Sequence, residues 1–210
     1  MARITSAKCK LCRREGEKLF LRGERCFGAK CAIVKRNFIP GVHGPTARRQ
    51  KLTGYGIQLR EKQKAKKIYG LLERQFANSV AKATKMKGDS GANLFTLLET
   101  RLDNVIYRLG IGRSRAEARQ RVSHGHIEVN GKKVDIPSSS VKVGDLVSIK
   151  EGALKSKFYE NIFEKISKLE LPEWMIFDPK TNKAKIISLP DISKSKQEFD
   201  PKIIIEFYSR

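Results

Sequence analysis

Apolar residues recur at helical spacing in some stretches of the chain and alternate with polar ones in others, and the change of period marks out the expected elements. The clearest helix is predicted over 94–109, where Leu94, Leu98, Leu102, Val105 and Leu109 share a face and Gly110 follows as a stop. Upstream, 57–87 is rich in helix formers, with Ile57, Lys64, Ile68, Leu71, Leu72, Gln75 and Phe76 at approximately helical intervals and an expected interruption at Gly70. Phe158, Ile162, Ile166 and Leu169 predict another helix.

Alternation takes over between Ile127 and Ile136 around Asn130-Gly131. Both positions of such a two-residue turn need positive φ, which Asn and Gly supply most readily, so a hairpin is predicted. A strand is expected from Asp145 to Lys150, and a second hairpin from Trp174–Phe177 and Ala184–Leu189. Ser114-Arg115-Ala116-Glu117 fits a capping box, in which the Ser hydroxyl accepts from an amide and the Glu reaches back, and starts a short helix over 115–123. The turn Gly88-Asp89-Ser90-Gly91 separates a first domain, 1–90, from a second, 91–200. The tail from Lys202 to Arg210 is apolar enough to require docking elsewhere.

Residues 1–50 show neither period and cannot form a core by burial alone, yet they hold all four cysteines, as Cys9-x2-Cys12-x13-Cys26-x4-Cys31. Two close pairs joined by a loop suit one tetrahedral zinc ion, and four protein ligands leave no open position for catalysis. Free thiols or a redox pair at Cys9 and Cys12 are the alternatives, against which stands the lack of a thioredoxin-like strand and helix around them. His43 is a fifth candidate ligand, but the four cysteines already fill a tetrahedral site, and it is better read as a loop or partner-contacting histidine.

Charge narrows the class of partner. The chain carries 44 Lys+Arg against 22 Asp+Glu, a net +22, and residues 1–90 hold 23 basic against 6 acidic side chains. Any single cation is most simply a solvated one, but an excess this concentrated calls for a polyanion. Nucleic acid fits, since neutralising phosphates releases condensed counterions. Candidate contacts are Arg3, Arg13, Arg14, Arg22 and Lys30 around the cysteines, then Lys35, Arg36, His43, Arg48, Arg49 and Lys51. Arg60, Lys62, Lys66, Lys67 and Arg74 follow on the long helical stretch, where Tyr55 and Tyr69 are candidates for stacking on bases and, equally, for structural roles. Arg113, Ser114, Arg115, Arg119 and His124 cluster about the capping box, where helix-terminal amides attract phosphate.

Other classes are disfavoured. No apolar run approaches the roughly 20 residues that span a bilayer, and the N-terminus lacks a secretory h-region, so a reducing, cytosol-like compartment is expected. There is no P-loop or GxGxxG, and the three histidines lack catalytic spacing. Asp103 is best read as an ion-pair partner of Arg101 and Arg108. A zinc-dependent DNA-binding regulator would need a recognition helix following the ligands and a dimerising element.

Leu98-Glu-Thr-Arg-Leu-Asp-Asn-Val-Ile-Tyr-Arg-Leu-Gly110, SRAEARQRVSHGHIEVNGKKVDIP (114–137) and GDLVSIK (144–150) resemble the RNA-binding module named after small-subunit ribosomal protein four, here at about 99–150. That module also occurs on RNA-modifying and tRNA-related enzymes, the alternative reading. The flanks IPGVHGPTARR (39–49), KLTGYGIQLREKQKAKKIYGLLERQF (51–76) and IIIEFYSR (203–210) resemble the ribosomal protein family itself, and the cysteines its zinc-containing bacterial form. The resemblance implies an α+β protein: a mainly helical, zinc-stabilised basic domain on which 201–210 packs, and a second α+β domain with a helix-helix-hairpin module. It implies binding to the 5′ domain of small-subunit rRNA, nucleation of subunit assembly, and a contribution to translational accuracy. Implied neighbours are small-subunit proteins five and three and messenger RNA near its entry channel, in a cytoplasmic ribosome. Neither a small-molecule substrate nor a membrane partner is expected.

Overall fold

The computed structural model describes residues 4–46, 52–160, 162–194 and 198–209. Its helices are α1 (Lys8–Glu15), α2 (Ala32–Lys35), α3 (Gly54–Ile68), α4 (Glu73–Lys85), α5 (Ser90–Glu99), α6 (Leu102–Arg108), α7 (Arg115–Ser123), α8 (Glu151–Leu154), α9 (Ile162–Ser167) and α10 (Pro201–Tyr208). The strands are β1 (Ile127–Val129), β2 (Lys132–Lys133), β3 (Leu146–Ile149), β4 (Met175–Asp178) and β5 (Lys183–Ile186). The chain divides into two compact units, 1–94 with 197–210, and 95–196. The division falls inside α5, a few residues beyond the Gly88–Gly91 turn where the sequence suggests it.

In the first unit Gly70, at φ +64, separates α3 from α4. Thr53 caps α3 by accepting from the Gly56 amide. Helix α10 lies against α3 and α4, with Ile204 fully buried. Its entry is fixed twice: Asp200 accepts from the Lys202 amide, and its own amide donates to Glu61 at 3.1 Å. Phe199 meets Tyr69 edge-on at 6.0 Å. Helices α1 and α2 arise in a stretch without apolar period. The first ends at Gly16, at φ +77, whose amide returns to the Cys12 carbonyl at 2.9 Å.

The second unit departs from the expected 94–109 helix. Helix α5 stops at Glu99 and α6 begins at Leu102, with Arg101 extended between them and bridged to Ser140. The segment 137–141 causes the break by taking backbone bonds a continuous helix would use. Leu102 and Asp103 amides donate to Ser139 and Pro137 carbonyls at 2.8 and 3.2 Å, and the Val141 amide donates to Thr100 at 2.9 Å. The apolar period survives because Leu98, Leu102 and Val105 are all buried.

The expected 158–169 helix is likewise divided, into a 3-10 turn at Lys157–Tyr159 and α9. The five strands form one antiparallel sheet in the order β2-β1-β3-β5-β4. Asn130 and Gly131 make the first turn at φ +52 and +74. Ile127, Val147, Ile149, Ala184 and Ile186 form one core with Val105, Ile106, Ala118 and Val122 of α6 and α7. The connection between α6 and α7 packs so closely on α7 that a Cβ on Gly112 would sit 2.7 Å from the Ala118 amide nitrogen. Among the described residues no helix is long and apolar enough to cross a membrane.

Candidate nucleic-acid interface

Local bonding decides which of the many cations are available. Helix α3 is basic in sequence, but acids of the same unit meet most of its charge. Glu15, its side chain 2% exposed, takes Arg60 at 3.3 Å and Lys67, while Lys64 reaches Glu17 at 2.7 Å. Lys62 and Lys66 converge on Glu73 at 2.7 and 2.8 Å. Burial pushes the Glu73 carboxyl up, but bonds from Lys62, Lys66 and Tyr208 outweigh it and hold the group at about 2.

Four of the residues singled out from sequence prove not to be surface groups. Lys62 is buried, its ammonium 4.6 Å from the centre of the Phe207 ring. Tyr69 is buried against Phe199 and cannot stack on a base. Arg119 is buried beside Asp103 at 3.9 Å. Ser114 is buried with its hydroxyl accepting from the Glu117 amide, and the Glu117 carboxylate takes the Arg113 amide at 2.9 Å. The start of α7 therefore carries its own anion where a phosphate was expected.

Asp103 pairs with Arg101 through two bonds, of 3.1 and 2.8 Å, as expected. Arg108 does not join them; it forks onto Glu99 at 3.0 and 2.9 Å. Asn104 donates to Glu99 and accepts from Arg115 Nε at 2.9 Å, and the Arg115 guanidinium lies 4.6 Å from the Tyr107 ring centre. This largely buried polar network locks the end of α5, α6 and α7 together, since each member would be costly if left unsatisfied. Arg13 is half-buried, donating to the Phe38 carbonyl and lying over its ring.

Exposed cations remain in both units. Arg14, Arg22, Lys30, Lys35, Arg36, His43 and Arg74 are exposed in the first, as is Tyr55, which leans on Phe207 at 5.6 Å. Arg113 and His124 are exposed in the second. There the sequence reading passed over Lys132 and Lys133, both exposed on β2. Lys133 packs its aliphatic stem beside Gly125, next to His124. Their signal was visible as a paired charge after the Asn130-Gly131 turn. His126 is held at the same junction, its Nδ1 2.9 Å from the Tyr159 hydroxyl. Burial, His124 and Arg121 all push its pKa down. Arg3, Arg48, Arg49 and Lys51 lie outside the described residues.

Cys9 and Cys12 lie on α1, Cys26 in the 3-10 turn Gly23–Cys26, and Cys31 at the N-cap of α2. All four are free thiols lining one small cavity of about 20 Å³ with Lys8, Arg22 and Arg25. Burial pushes the Cys12 thiol up, the Leu19 amide opposes this, and Cys26, Cys9 and Cys31 push it further up. Among the described residues no three His, Cys, Asp or Glu side chains already stand in a ligating arrangement. The donor chemistry nevertheless fits a soft tetrahedral cation, which would relieve the mutual repulsion of four thiolates.

The basic, largely helical unit and the second unit, whose helix pair leads into a hairpin, each match a known family. Residues 3–99 match the ribosomal protein S4/S9 N-terminal domain and residues 100–147 the S4 domain. The chain is 51% identical over 210 residues, all of both chains, to small ribosomal subunit protein uS4 of Clostridioides difficile. It is 50% identical, again over both whole chains, to uS4A of Alkaliphilus metalliredigens and to uS4 of Halothermothrix orenii. The chain belongs to the ribosomal protein S4 family, and with it the reading as an enzyme that borrows the module is set aside.

Proposed function

We propose that the chain is a structural constituent of the small ribosomal subunit, a primary binder of its rRNA. The observation that carries this is the full-length identity of about half to relatives named small ribosomal subunit protein uS4, covering both units. The exposed cations of each unit neutralise RNA backbone, and recognition rests on shape, because side chains cannot read the deep A-form major groove. The binding site is the 5′ domain of small-subunit rRNA, where early binding nucleates subunit assembly. Contacts with small-subunit proteins five and three, near messenger entry, contribute to decoding accuracy in a cytoplasmic ribosome. Cys9, Cys12, Cys26 and Cys31 hold one structural zinc ion that organises the first unit, making the chain a zinc-containing member of the family. The zinc assignment is supported by the four thiols sharing one cavity.

The test is binding of the purified protein to the 5′ domain RNA against an unrelated structured RNA of equal length at about 0.3 M salt, where nonspecific attraction is weakened. A preference of about a hundredfold, about 2.7 kcal/mol, is expected. Equal binding to both would reduce the basic surface to a nonspecific grip and overturn the reading.

A further inference from the structure

The loop between α1 and α2 spends an aromatic ring on solvent. Phe27 is 71% exposed although Leu19, eight residues earlier, is buried at 2%. Its ring is not on a loose tail. The Phe27 amide donates to Glu24 at 3.1 Å, the Cys31 amide to Gly28 at 3.1 Å, and Arg25 Nε to the Lys30 carbonyl at 3.3 Å. Phe20 backs it, with ring centres 4.9 Å apart and planes inclined at 31°. Phe20 holds φ at +48, a backbone region that a bulky side chain rarely adopts. Such an outlier persists where the surroundings enforce it, and it points to a use for the ring it positions.

The charge around the pair selects the partner. Lys18, Arg22, Arg25 and Lys30 are all exposed in the same segment and outnumber its exposed acids, Glu17 and Glu24, of which Glu17 is engaged by Lys64. An apolar protein partner would leave these cations desolvated and unmatched, whereas a polynucleotide supplies both a flat π-face and phosphates on either side of it. Stacking of this kind is tolerant of base identity and requires an unpaired nucleotide, the form in which RNA bases are accessible to side chains.

We propose that Phe27, supported by Phe20, is a stacking platform for an unpaired base of the RNA, with Arg22, Arg25 and Lys30 gripping the flanking phosphates. This rests on the rRNA-binding reading above and adds a specific nucleotide contact to it.

The full-length, zinc-loaded protein and its Phe27→Leu and Phe27→Trp variants are titrated with the 5′ domain RNA and with a fully paired RNA duplex of equal length. Phe27→Leu is expected to weaken binding to the 5′ domain by about tenfold, the scale of one lost base stack, with an unchanged salt slope and unchanged thermal melting. Phe27→Trp is expected to keep wild-type affinity, with the introduced indole quenched by the 5′ domain and not by the duplex. Trp174 is buried in the second unit and serves as the subtracted background. Wild-type affinity of Phe27→Leu, or an indole emission indifferent to the 5′ domain, overturns the platform while the parent's preference for that RNA stands. Loss of the parent's own preference would instead overturn the rRNA reading.

Discussion

The hydroxyl of Tyr208 donates to Oε1 of Glu73 at 2.7 Å, joining groups 135 residues apart in the chain. Lys62 and Lys66 reach the same carboxylate, so one acid holds α3, α4 and α10 together. Tyr208 is accordingly raised well above the ordinary tyrosine value by burial and by its bond to Glu73.

Glu73 makes the first unit sensitive to acid. Its folded value, about 2, lies below the ordinary 4.5, so its contribution is complete above pH 4.5 and is lost as pH falls toward 2. Glu73→Gln is expected to cost on the order of 1 kcal/mol at neutral pH, kept small because the side chain is 48% exposed and solvent screens it. Thermal melts across this range should show the gap to wild type closing as pH falls. A gap that persists at pH 2 would mean that shape and not charge is involved.

Gly112 lets the turn between α6 and α7 pack against α7. Gly112→Ala forces a methyl group against the Ala118 backbone and should destabilise the second unit by about 1–3 kcal/mol, the range for overpacking. Gly152→Ala is the control, because a Cβ there meets nothing within 4 Å. Urea unfolding of both variants checks this, and equal midpoints would show that the turn yields easily.

Cations of the second unit separate into two roles. Lys132→Ala with Lys133→Ala, both exposed on β2, should leave melting unchanged and make the salt slope of rRNA binding shallower by roughly 2, near one for each phosphate contact. Arg119→Ala should instead cost about 1–3 kcal/mol, because a buried side chain and its 3.9 Å contact with Asp103 are lost while Arg101 keeps Asp103 paired. A stable Arg119→Ala protein with a shallower slope would place that guanidinium on the RNA.

Zinc removal should act on one unit. One equivalent of zinc is expected by mass spectrometry of the native protein, and chelation should speed proteolysis within 4–46 while leaving 95–196 intact. Binding energies on the order of 10 kcal/mol are typical for such structural sites. Proteolysis of 4–46 that is indifferent to verified zinc removal would sink the metal's structural role.

What could be read from the sequence was whatever local chemistry determines. The Asn130-Gly131 turn and the Ser114 cap depend on residues within a few positions of one another, and both occur as expected. The break at Arg101 is imposed by residues nearly forty positions away, which no helical period encodes. The same distance effect misled the choice of contact residues: Lys62 reads as one more surface lysine until Phe207 arrives to cover it. Charge density therefore indicated the class of partner, while the partition into exposed grips and buried ion pairs needed the fold.

The return of α10 to α3 and α4 also dictates an order of events during synthesis. As the chain emerges, residues of α3 and α4 appear first, the whole of 95–196 next, and the Phe199, Ile204 and Tyr208 side chains only after that. The second unit is continuous and can fold as soon as it is out, whereas the first waits with its aromatic partners missing. A nascent protein of this family thus carries a folded module beside an unfinished, strongly basic segment that is exposed to any RNA within reach.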